Sequence, residues 1–156
     1  MNTLIIYKSY HHMNTEKIAK EMADVLNARL VKVDDAQQVD LNEYDLIGFG
    51  SGIYADIPHK TLIKFIEEMP VMDKNVFVFS TSGSILDRHH DLITEKLMEK
   101  GCNIVGDFHC LGEVKVMGVN MNIKGPMGWL LGKNKGHPDD EDFKRAREFA
   151  STLLNE

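Results

Sequence analysis

Cysteine is scarce: only Cys102 and Cys110 occur in 156 residues, with seven residues between them. That spacing excludes a CxxC redox pair and a cysteine zinc cluster, and two thiols cannot staple a disulfide scaffold. Both read as reduced, mostly buried side chains of a protein kept in the cytoplasm. No apolar run reaches the ~18 residues that a membrane span needs, and the start, Met1-Asn2-Thr3-Leu4-Ile5-Ile6-Tyr7, has neither a basic leader nor a signal-type apolar core. Positive charge is in the minority, 18 Lys+Arg against 24 Asp+Glu for a net charge of -6. A chain whose main business is nucleic acid needs a basic face, so that class is excluded, although a small anion held by backbone amides is not.

Several motifs are missing as well. The chain has no GxGxxG for a dinucleotide, no GxxxxGK[ST] for a nucleoside triphosphate and no GxSxG nucleophile elbow. A phosphoacceptor receiver of similar layout would end its third strand in Asp, where this chain has Gly50-Ser51-Gly52. The histidines include the pairs His11-His12 and His89-His90, but neighbours in sequence seldom share an ion and no HxxxH face occurs, so no metal site is expected.

What is present is a regular alternation of periods. Thr3 to Tyr7 is a β-rich run suited to a strand covered on both faces. Asn14 or Thr15 then caps a helix to about Asn27, with Ile18, Met22, Val25 and Leu26 on one face. Strands follow at Arg29 to Val33, Asp45 to Gly50, Asn75 to Ser80 and Asn103 to Cys110. Helices open at Pro58, run from Asp87 to Lys100 with Gly101 as the stop, and begin again after Pro138 with an acidic first turn. Five strands alternating with helices predict an α/β fold, a doubly wound parallel sheet of order 2-1-3-4-5 with helices on both faces. Its ligand belongs beyond the carboxyl ends of the strands, where the loops after strands 1, 3 and 4 converge. The length suits one domain over residues 1–156, with one departure: residues 111–137 are glycine-rich, carry the only tryptophan, Trp129, and show no helical period. Connections that long are uncommon and often functional; a plain cover for the sheet edge is the other reading.

After the first strand, Ser9 to Thr15 packs hydroxyl, imidazole and amide donors against a helix start, where backbone N–H groups and the helix dipole favour an anion. The same residues would also serve simply to start a helix. The stretch Ser9-Tyr10-His11-His12-Met13-Asn14-Thr15-Glu16-Lys17-Ile18-Ala19 resembles the FMN-phosphate loop and first helix of the flavodoxin family, whose usual form is T/S-x-T-G-x-T. Gly50-Ser51-Gly52-Ile53-Tyr54 is similar to the family's second flavin loop and Ser80-Thr81-Ser82-Gly83-Ser84 to its third. Asn134-Lys135-Gly136-His137-Pro138 resembles a common ending.

The resemblance implies a flavodoxin-like fold and FMN as cofactor. By position it implies binding by Ser9, His11, His12, Met13, Asn14 and Thr15 at the phosphate, by Ser51, Gly52, Ile53 and Tyr54 at the ring, and by Ser80, Thr81, Ser82 and Gly83 at its polar edge. Small residues at Gly50 to Gly52 let a backbone carbonyl turn toward the flavin N5 on reduction, and Tyr54 can stack on the ring. Two departures stand out: the family's glycine falls on Met13 and its middle threonine on His12. The third loop also lacks an aromatic before His89, leaving Trp129 as the residue to cover that face. No catalytic side chain is implied, because the flavin does the chemistry. The function implied first is electron transfer between redox proteins, by a monomer or weak dimer. A flavin oxidoreductase acting on a quinone or protoporphyrinogen is the alternative, supported by a segment at 111–137 holding Lys115, Lys124, Lys133 and Lys135 against Glu113 alone. A module that kept the fold and lost FMN is the third.

Overall fold

A computed structural model describes residues 1–10, 13–113 and 134–155. The expectations for His11, His12, Lys115, Lys124, Trp129 and Lys133 lie outside the described residues. Strand β1 (Thr3–Lys8) leads to α1 (Asn14–Leu26), then β2 (Arg29–Lys32), β3 (Leu46–Tyr54) and the two-residue β4 (Ile57–Pro58). Helix α2 (Lys60–Glu68), β5 (Asn75–Ser82), α3 (Asp91–Glu99), β6 (Asn103–Leu111) and α4 (Asp140–Leu153) complete the described order. The sheet runs β2-β1-β3-β5-β6, all parallel. Setting aside β4, which pairs antiparallel with β3, this is the 2-1-3-4-5 order expected from the sequence.

Successive side chains of a strand point to opposite faces, and the central strands are apolar on both. Leu4, Ile6, Ile47, Phe49, Val76 and Val78 pack under α2 and α3 through Leu62, Phe65, Ile66, Ile93 and Leu97. Ile5, Phe77, Phe79 and Phe108 pack under α1 and α4 through Ile18, Met22, Ala146 and Ala150. Two core layers therefore hold the sheet, and loops from several strands meet at its carboxyl edge.

Several boundaries differ from expectation. Strands β3 and β5 run on to Tyr54 and Ser82, because Ser51 pairs with Ser80 and Gly52 with Thr81 in the parallel ladder. Residues expected in loops are thus held as strand. Pro58 does not open a helix; Ile57–Pro58 folds back on Ile53 and Tyr54, and the helix starts after His59, whose ring nitrogen accepts from the Thr61 N–H. The Asp87–Lys100 stretch begins as a 3-10 turn at Asp87–His90 before α3. Neither Asn14 nor Thr15 caps α1: the cap is Met13, in the left-handed region at φ 54°, with no side-chain hydrogen bond.

That last position bears directly on stability. A side chain at positive φ costs on the order of 1 kcal/mol, which glycine avoids. Met13→Gly is therefore expected to stabilise the fold by about 0.5–1 kcal/mol despite glycine's larger unfolded-state entropy, seen as a rise of a few degrees in Tm. A fall in Tm would mean that the Met13 side chain contributes more than its backbone costs.

Candidate functional site

Beyond the ends of β1, β3 and β5 lies a solvent-open cleft with a cavity volume of about 90 Å3. Its first wall is the start of α1. Asn14 and Thr15 face inward at 7% and 1% exposure, and the Thr15 hydroxyl lies 2.8 Å from that of Thr81 on β5. The Asn14 amide donates to the Glu113 carbonyl at 3.0 Å, while its Oδ1 is buried without a partner among the described residues. Ser9, just upstream, accepts the Glu16 N–H at 3.2 Å and so steadies the first turn.

The second wall is Gly52, Ile53 and Tyr54 at the end of β3. The chain reverses through Ala55 and Asp56, both at positive φ, the backbone that a two-residue hairpin with strand-like twist requires. Tyr54 meets His59 edge-on at 5.6 Å between centroids, and burial raises its phenol pKa. A Cβ on Gly52 would lie 2.8 Å from the Tyr54 hydroxyl oxygen, so a side chain there would shift the Tyr54 ring tip. The hairpin tip is clamped: Asp56 accepts from Arg88 at 2.6 Å and contacts the buried His89 ring nitrogen at 3.1 Å. The Arg88 hydrogen bond, and then that of His89, holds the Asp56 carboxyl below the usual range.

The third wall is Thr81, Ser82 and Gly83. Asn134 donates to the Gly83 carbonyl at 2.6 Å, and the Gly112 N–H to that of Ser82 at 2.9 Å. The start of α4's lead-in and the end of β6 thus brace this turn from the side.

The residues expected from sequence divide accordingly. Asn14, Thr15, Gly52, Ile53, Tyr54, Thr81, Ser82 and Gly83 line the one cleft. Ser9 and Met13 shape the turn behind it. Ser51 and Ser80 turn elsewhere: the Ser51 hydroxyl donates to the Gly52 carbonyl and accepts the His59 N–H, and that of Ser80 lies 2.7 Å from His90 Nε2. Three lining residues were not among those the sequence assigned to binding: Tyr10, Gly112 and Glu113. Tyr10 stands inside the quoted first loop, and Gly112 carries a signal of its own, since a Cβ there would fall 2.7 Å from the Asn14 amide nitrogen. Glu113 puts a carboxylate at the mouth of a segment otherwise rich in lysine.

Both thiols are free and buried, and burial pushes each pKa up, so neither is an activated nucleophile. Among the described residues no helix is long and apolar enough to cross a membrane.

A family model described as a flavodoxin domain matches residues 4–139. An uncharacterized protein of Methanocaldococcus jannaschii is 42% identical over 156 residues, covering 99% of each chain. Oxidised flavodoxin 1 from Bacillus cereus superposes with a TM-score of 0.70 at 18% identity, over 99% of this chain and 98% of that one. A flavoprotein from Lactobacillus acidophilus NCFM, solved in complex with FMN, gives 0.59 at 21% identity, over 69% of this chain and 92% of its own. At those identities the structural likeness speaks to fold.

Proposed function

The chain belongs to the flavodoxin family, and from that premise we propose that it binds FMN in the cleft and carries electrons between redox proteins. The observation that carries this reading is the cleft itself: three strand ends converge on a space lined by Gly52 and Gly112, with the Asn14 Oδ1 buried beside it and without a partner among the described residues. An unsatisfied buried acceptor is costly, and a hydroxyl-bearing ligand would satisfy it. The residues present therefore fit the cofactor.

In this reading the first turn of α1 holds the phosphate end through backbone N–H groups, with Asn14 and Thr15 supplying polar side chains. Tyr54 gives the ring an apolar face, and the Thr81 to Gly83 turn offers hydroxyls and amides to its polar edge. Bound FMN supplies the reversible electron uptake, so no side chain need serve as acid, base or nucleophile. Clamped by Arg88 and His89, Asp56 keeps the second wall in place against the third. The net charge of -6 favours docking on basic faces of partner proteins in the cytoplasm, at rates that fall with added salt.

The protein purified from cells is expected to be yellow and to release FMN on denaturation, identified by its mass. A colourless protein whose apo form takes up no added FMN would overturn the reading. Rapid turnover of a quinone or protoporphyrinogen with no protein partner would overturn the carrier role and leave an oxidoreductase.

A further inference from the structure

On the opposite face of the sheet from Thr81, behind the third wall of the cleft, three potential ligands meet. Asp107 and His109 stand at i and i+2 on β6, a spacing that puts both side chains on one face of a strand. His90 reaches them from the turn before α3. His90 Nδ1 lies 3.2 Å from Asp107 Oδ2, and His109 Nε2 lies 3.0 Å from the same oxygen. One ligand atom from each of the three falls within 4.8 Å of the others. Around a tetrahedral ion with bonds of about 2.0–2.1 Å, neighbouring ligand atoms stand about 3.3 Å apart, close to the two distances from Asp107 Oδ2.

We infer that His90, Asp107 and His109 form a binding site for a divalent transition metal of the zinc class, separate from the flavin cleft. The outer contact such a site needs is built in: His90 Nε2 is 2.7 Å from the hydroxyl of Ser80, itself 2% exposed. A ligating imidazole characteristically engages an outer partner through its second nitrogen, which fixes the tautomer and the ring. His109 Nδ1 has no partner among the described residues, so this ring lacks the outer contact that His90 has. The two rings lie 3.7 Å apart and 11° from parallel, each edge running alongside the other. Coordination therefore turns His109 out of the stack, a motion that a side chain on the sheet's outer strand beside a half-exposed Asp107 allows. Fourth-position water can enter from that same exposed side.

The other candidate cluster, His137, Asp139 and Asp142, has a different task. Asp142 accepts from both the Asp139 N–H and His137, and Asp139 accepts the Asp142 N–H, which is the capping box of α4. Its ligand atoms are already committed.

The test is equilibrium dialysis of the full chain, stripped with chelator, against zinc(II), with cobalt(II) as spectroscopic probe in the red beyond flavin absorption. One equivalent is expected, with tetrahedral cobalt bands. Asp107→Asn and His109→Gln change exposed or edge positions rather than the core, and each is expected to weaken binding at least tenfold, whereas His137→Gln leaves it unchanged. Absence of stoichiometric zinc, or binding equal in the Asp107 and His109 variants, would overturn the site. FMN uptake by the same samples is read separately, so the two readings fail independently.

Discussion

Gly50→Ala is expected to lower the unfolding free energy by about 3 kcal/mol, at the upper end of what added methyl groups cost in a packed core. In this chain Gly50 pairs with Phe79 and Gly48 with Phe77 across β3 and β5. Each Phe ring lies over its glycine, so that a Cβ at either position would fall inside the ring tip. The rings cannot step aside. Phe77 and Phe79 are 0% and 1% exposed, they stack on one another at 6.1 Å, and Phe149 closes on Phe77 at 6.0 Å. A loss of that size corresponds to about 10 °C in Tm for a domain of this length. Shortening the opposing ring should restore much of it, so the double variant Gly50→Ala/Phe79→Leu is expected to melt above Gly50→Ala alone, a coupling that a thermal-melt cycle measures. If Gly50→Ala melts with the parent, the packing account of this glycine is wrong.

The same residue shows why the sequence could be read so far and no further. Its small size suggested backbone freedom beside a flavin, a local explanation. The structure assigns that size to Phe79, 29 residues away in sequence, and no periodicity within β3 announces which residue will lie across from it. Element type and order were legible because they rest on local period: Thr3 to Tyr7 read as a strand covered on both faces, Asn75 to Ser80 as a strand, and Ile18, Met22 and Leu26 as one face of α1. Ends were less legible because parallel pairing, not propensity, extends β3 and β5 through the polar residues of their loops. Asn14 and Thr15 have the chemistry of caps, yet both point into the cleft, and the cap falls to Met13, a residue with no preference for positive φ. Convergence of His90 with Asp107 and His109 was hidden for the same reason, since linear spacing holds no information on which turn packs against which strand.

The largest effect on the cleft should come from the two threonines that join its first and third walls. Thr15 and Thr81 are 1% and 4% exposed, their hydroxyls 2.8 Å apart, with either able to donate. Thr15→Val keeps the shape and removes one partner, leaving the other hydroxyl buried and short of a bond, which costs about 1–3 kcal/mol. That penalty falls where α1 meets β5, so it is expected to appear as a loss of FMN affinity of about tenfold or more by the usual conversion of 1.4 kcal/mol per decade. Thr81→Val should behave alike. The double variant should lose less than the two singles combined, because removing both hydroxyls leaves neither stranded. Thr15→Ser, which keeps the hydroxyl, should stay near the parent. Quenching of FMN fluorescence on titration with apoprotein measures each affinity, with circular dichroism confirming the fold at the same temperature. Singles that bind within twofold of the parent would show that the cleft holds its ligand without this link, and would place the affinity in the backbone amides of the α1 start instead.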